Sequence, residues 1–317
     1  MDWEAEATLI VNSYTPEGPQ DLTKPLLLAL LKYAPTEGGR KNICIEILKC
    51  RDDKKNDLAT GLRELSRWYE SGLLYPMRAQ GGKTPEPSEH PSREESMDKE
   101  TLLNELLING EIAYRELEKV KRVSLFRDNY RSVICGAMDF ISVELGLVPD
   151  LKNSSPTLAA HILPFSLGTY NQGATAWAVL QNFSVMELQA DLCGHNINRL
   201  SNILTLTLDQ HYFFGRLTAW LEPTEEGEHA YRVCATHQFH KFPKGKVVQF
   251  TTHDIQKLPL PDPRFLAIHA ACAKVLQASG VGKRIDRILW DREELLALPE
   301  DGSSDFLFYA LQGISIR

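Results

Sequence analysis

The sequence predicts an α+β fold. Two observations lead to it. Helical apolar periodicity dominates residues 22–75, and apolar stretches of strand length are interleaved with helical ones from about residue 130 onward. "LTKPLLLALLKYA" and "LATGLRELSRWYESGLL" each set their apolar residues on one face of a helix. Residues 77–98, "MRAQGGKTPEPSEHPSREESMD", are rich in Pro, Glu, Ser and Gly and hold almost nothing apolar. Such a segment cannot bury enough surface to offset its ordering entropy, so it reads as a disordered linker. It divides a small helical N-terminal region, 1–76, from a larger domain, 99–317.

A long helix is expected from about Lys99 to Arg122, because Leu103, Leu106, Ala113, Leu117 and Val120 recur at helical steps. "YRSVICGAM" reads as a short strand ending in a glycine turn, and "TLAAHILPF" as a strand broken by Pro164. "ATAWAVLQNF" is a short helix. "NILTLTLDQHYFFGRL" runs from a turn into a helix. "RLTAWLEP", "AYRVCATHQF" and "KVVQF" read as strands. "DPRFLAIHAACAKVLQASG" is a helix with Asp262 as N-cap, Pro263 at its first position and Gly280 beyond its end.

Composition narrows the function classes. The 317 residues are 43% hydrophobic and 24% charged, which is globular. "MDWEAEATLI" has no basic region followed by an apolar one, so no secretory signal is expected. The longest apolar run, Leu26 to Leu31, is too short to span a bilayer, so no membrane partner is expected. Six cysteines are scattered without a CxxC pair, which argues against a zinc ribbon and for reduced thiols in the cytoplasm or nucleus. The net charge of −7 disfavours a surface that binds nucleic acid all over. Local basic groups remain: Lys119, Lys121, Arg122, Arg127 and Arg131; Lys241, Lys244 and Lys246; Lys283, Arg284 and Arg287. Each is read singly as solvated surface.

Three polar residues stand in apolar surroundings: His161 at the end of "TLAAH", Asn202 opening "NILTL", and His211 nine residues later. Their order and context resemble the HNH (ββα-metal) nuclease family, in particular the HNH-type domain of fungal proteins. The resemblance covers about residues 122–290 and rests on "AAHILPF" and "INRLSNILTLTLDQHYFFGRLTAWLEP". It implies an HNH-like ββα core with flanking strands and helices. It also implies a divalent metal (Mg, Mn or Zn) with His211 as ligand, His161 as general base, and Asn202 as the brace that orients the base. Asn198 and Arg199, in "DLCGHNINR", are placed to reach a phosphate. Cys193 and His195 in the same stretch are spaced like soft metal ligands, although a surface loop is the simpler reading. Trp177, with Tyr212 and Phe213, is expected to line a pocket. His237, His240 and His253 read as surface or core residues.

Two positions depart from the family pattern. Ala160 stands where a metal-binding Asp or His precedes the first histidine, and Gly215 stands where an Asp follows the second. Asp209 is the nearest other carboxylate in sequence, but two residues along a helix it points elsewhere. Ala160→Asp is expected to give a folded variant with tighter divalent-metal binding. Three functions stay open. The first is a metal-dependent endonuclease hydrolysing phosphodiesters. The second is a non-catalytic interaction scaffold. The third is a small-molecule acid/base enzyme, such as a cyclase or isomerase of fungal secondary metabolism. Nucleic acid and a small molecule are the candidate partners. The oligomeric state is not specified by the sequence.

Overall fold

A computed structural model describes residues 2–52, 56–79, 117–149, 153–164, 167, 170–237 and 242–296. It is α+β, with small sheets among many helices.

The chain begins with α1 (Trp3–Ser13), α2 (Thr23–Tyr33), α3 (Glu37–Asp52) and α4 (Leu58–Tyr69). Asp57 caps α4 by accepting from the Thr60 amide at 2.9 Å. A π turn, Glu70–Leu74, carries α4 into α5 (Tyr75–Ala79). The linker expected from residue 77 therefore starts too early. Met77 and Arg78 are buried, and Arg78 donates to the Asp286 carboxylate through Nε at 2.7 Å and Nη2 at 2.6 Å. Composition placed Arg78 in a disordered linker, whereas a partner 208 residues away satisfies its charge. The rest of the expected linker and residues 99–116 of the expected long helix lie outside the described residues.

Helix α6 (Leu117–Arg127) ends where Asn129 takes φ 53° and the Tyr130 amide bonds back to the Leu125 carbonyl at 2.6 Å. This is the Schellman pattern, which satisfies a last-turn carbonyl. The strand expected over "YRSVICGAM" is instead a tight turn. Ser132 N–H donates to Ala137 O, Gly136 adopts φ 76°, and only Met138–Asp139 extends as β1. β1 pairs in parallel with β2 (Ser154–Ser155), and the short α7 (Phe140–Glu144) follows β1.

β3 (Thr157–His161) pairs antiparallel with β4 (Ile203–Thr207), Thr157 opposite Thr207 and His161 opposite Ile203. Between them lie α8 (Tyr170–Ser184), α9 (Gln189–Leu192) and two 3-10 turns, Gly194–Asn198 and Leu200–Asn202. α10 (Leu208–Gly215) leaves β4 directly and packs against both strands. Its start is a capping box. Thr207 accepts from the Gln210 amide, and the Gln210 side chain accepts from the Thr207 amide at 3.1 Å.

A second sheet, β5 (Ala219–Pro223), β6 (Ala230–Ala235) and β7 (Val247–Gln249), is antiparallel in that order. α11 (Pro263–Ser279) packs on β5 and α2, with Asp262 as its N-cap and Gly280 at φ 76° past its end, and α12 (Val281–Leu296) follows. One contiguous core joins Leu30 of α2, Ile47 of α3, Phe183 of α8, Leu204 of β4 and Leu276 of α11. The N-terminal helices thus share a core with the rest of the chain. Gly39 marks the tightest approach, because a Cβ there would lie 1.8 Å from the Phe183 carbonyl oxygen. Among the described residues, no single helix is long and apolar enough to cross a membrane.

Candidate functional site

Side chains alternate along β3, so Thr157, Ala159 and His161 share one face and Leu158 and Ala160 the other. His161 is the last residue of the strand and is partly exposed. The chain beyond it is stitched to the turn before β4 by Asn202, which is fully buried. The Asn202 amide oxygen accepts from Leu163 N–H at 2.9 Å. Its amide nitrogen donates to the carbonyls of Leu163 and Ile197, both at 2.9 Å. Its own carbonyl accepts from Ile162 N–H at 2.8 Å. Four hydrogen bonds therefore fix the loop on either side of His161's strand end.

Asn198, buried, places its amide oxygen 2.7 Å from His161 Nε2. In that orientation the neutral ring carries its proton on Nε2, and Nδ1 keeps the lone pair. Burial holds the His161 pKa below the ordinary histidine value, and the Asn198 bond partly opposes this. His211, on α10, is mostly buried, and its pKa is pushed down to about 4, first by burial and then by the charge of His161. The two imidazoles thus lie close enough to feel each other, and both are neutral at neutral pH.

A second clamp brackets Asn202 from behind. Arg127 has no exposed surface. Its Nε and Nη2 grip the Asp128 carboxylate at 2.7 and 2.9 Å, while Nη1 and Nη2 donate to the Leu200 and Ile203 carbonyls, both at 2.8 Å. Sequence reading counted Arg127 among solvated basic residues, and the structure places it in the interior. Nothing in "FRDN" marks this arginine as internal, because the carbonyls it serves lie some 70 residues downstream. The α10 capping box, by contrast, is formed by residues three apart, Thr207 and Gln210 in "TLDQ".

The remaining sites fall as follows. Asn198 holds His161. Arg199 lies beside it in sequence, but its charge is met by Asp191 at 3.3 Å. Asp191 also pairs with Arg264 at 2.9 Å. Trp177 is buried in the main core. Asp209 is exposed in the first turn of α10, where a carboxylate complements the helix dipole. Cys193 is exposed. His237 is exposed beside Thr236, at 2.9 Å from its hydroxyl. His253 stands edge-on to Phe126. The His195 side chain and all of His240 lie outside the described residues.

The donor set decides how far a divalent metal fits. His211 is a neutral imidazole, as a ligand must be. Ala160, at 1% exposure, faces the main core and offers no donor atom. Among the described residues, no three His, Cys, Asp or Glu side chains converge. Ala160 is packed, so the carboxylate in Ala160→Asp would be unpaired in the core and the variant is expected to be destabilised. The residues described do not make a three-ligand metal site.

Comparison with protein-family models, curated proteins and solved structures finds no match.

Proposed function

We propose that the chain is an HNH-type hydrolase of phosphodiester bonds with a reduced cation site. The observation that carries this reading is the bracing of His161. Its ring is held by Asn198, and the loop that follows it is tied by Asn202. A general base needs a neutral, oriented imidazole with a lone pair directed at water, and that bracing supplies orientation. His161 takes a proton from water as the water oxygen bonds to phosphorus and the ester P–O bond breaks. Asn202 is a positioning residue. His211 is the remaining group on the cation side, and no step is drawn through a metal because the described donors do not complete its site.

The test is nicking of supercoiled plasmid by the full chain with Mg or Mn and with chelator. Nicking that falls about 100-fold or more in His161→Ala supports the reading. A folded protein that never nicks, with either cation, overturns it. A second reading, acid/base chemistry on a small molecule, is favoured by the burial of Ala160, which closes the second ligand position with a methyl group. A small molecule that co-purifies with wild type and is lost in His161→Ala, seen by native mass spectrometry, would select it.

A further inference from the structure

A cleft of about 1080 Å³ opens between the end of α6, the turn after it, and the segment that follows β7. Neither His161 nor His211 lines it. We propose that this cleft is a binding site for a planar aromatic anion. The inference is independent of the hydrolase reading.

Three rings form a corner of the cleft. Phe126 is met edge-on by His253, with centroids 4.7 Å apart at 82°, and by Tyr130, at 6.3 Å and 90°. Rings set at right angles offer a flat ligand one face to stack on and edges to contact. His253 is exposed and Tyr130 half-buried, so the corner opens to solvent.

Among the described residues, the charge on the cleft's lining is positive although the chain is acidic. Among the described residues, the one carboxylate on its lining is Asp128, and Arg127 grips both of its oxygens. Arg131 also lines the cleft, is exposed, and makes no ion pair among the described residues. A planar guanidinium beside aromatic faces suits a carboxylate, sulfonate or phosphate carried on a flat ring.

The backbone here is already set. Asn129 and Tyr130 both have positive φ, 53° and 57°. The helix cap needs only one residue in that region, and a bulky tyrosine seldom occupies it. Tyr130 is held there by Leu125 O and by Asp139 N–H, the latter donating to its carbonyl at 2.8 Å. Ser132, on the same wall, donates to the Gln210 side chain at 2.5 Å, which anchors the turn to α10. A rigid wall binds without paying to order itself.

The test is calorimetry of the full chain with 1-naphthoate and with its neutral analogue, 1-naphthalenemethanol. Naphthoate should bind, and the neutral compound about tenfold more weakly. Arg131→Gln should remove that discrimination. His253→Ala should weaken both ligands several-fold. Both side chains are exposed, so unfolding midpoints should not move. No naphthoate binding by folded wild type overturns the proposal. Equal binding of the two compounds, or naphthoate affinity unchanged by either substitution, also overturns it.

Discussion

His161 and His269 make an instructive pair. Burial lowers the pKa of both, His269 to about 3. Their surroundings differ. His269 sits in α11 at 2% exposure, its ring stacked on Phe214 at 3.7 Å and 8°. Its Nε2 lies 3.1 Å from the Phe214 carbonyl, while Nδ1 is buried without a partner. His161 ends a strand, is partly exposed, and is held by a side-chain amide on a loop that is itself tied down. A depressed pKa therefore reports only that a histidine is surrounded by protein. What sets His161 apart is polar stitching at a partly open strand end, and His211 lies near enough to interact with it electrostatically. His269 has stacking and a backbone carbonyl, which is how a core residue is accommodated.

The comparison rests on polar bonds around Asn202, and the largest expected effect comes from behind them. Arg127→Met leaves Asp128 without its partner and frees the Leu200 and Ile203 carbonyls. A loss of about 3–5 kcal/mol in urea unfolding is expected. Arg127→Lys should recover little of it, because a point charge cannot serve a carboxylate and two carbonyls together. A loss below about 1 kcal/mol would mean that the clamp does not hold the turn.

Ala160→Asp comes next, at about 3 kcal/mol, since the carboxylate enters the core. A stable variant that binds Mn more tightly by calorimetry would instead restore the complete metal site. Asn202→Ala should cost about 2–3 kcal/mol, because three buried backbone groups lose their partner. In that variant His161 should lose its hold as well, so nicking should fall further than stability alone explains.

Acid distinguishes the two histidine regions less sharply but separably. His211 and His269 have folded-state pKa values of about 4 and about 3, below the unfolded value near 6.5. The unfolded chain therefore takes up protons first as pH falls. Stability is full above about pH 6.5 and declines as pH drops toward those folded values. At pH 5 the loss is about 2 kcal/mol per histidine. His269→Phe should remove one such share while changing stability at pH 7.5 by about 1 kcal/mol or less, the smallest effect here. An unfolding midpoint that does not move between pH 7.5 and 5 would show that neither ring is held neutral.

Some of this was legible in the residues. α11 could be bounded because Asp262, Pro263 and Gly280 act through local backbone geometry, which sequence encodes directly. β3 and α10 were placed by the same kind of local pattern, and so were the strands β5 to β7. The turn at 130–138 was misread as a strand because its apolar residues alternate, while Gly136 and the Ser132–Ala137 bond decide its path. Within the site, His161, Asn202 and His211 could be singled out as polar residues in apolar runs. The burial of Trp177 was not legible, because a tryptophan in a helix reads alike whether it lines a pocket or fills a core.

The sequence by itself determined where elements start and stop, because caps, prolines and hydrophobic periods act over a few residues. It also set which strand end carries a histidine. Tertiary structure alone decided who meets whom. Asn198 faces His161 Nε2, Arg127 is interior rather than solvated, and Arg78 finds Asp286 across the fold. The physical reason is distance along the chain. A buried charge or amide is tolerated only when partners from remote segments arrive with the right geometry, and no local pattern records that arrival.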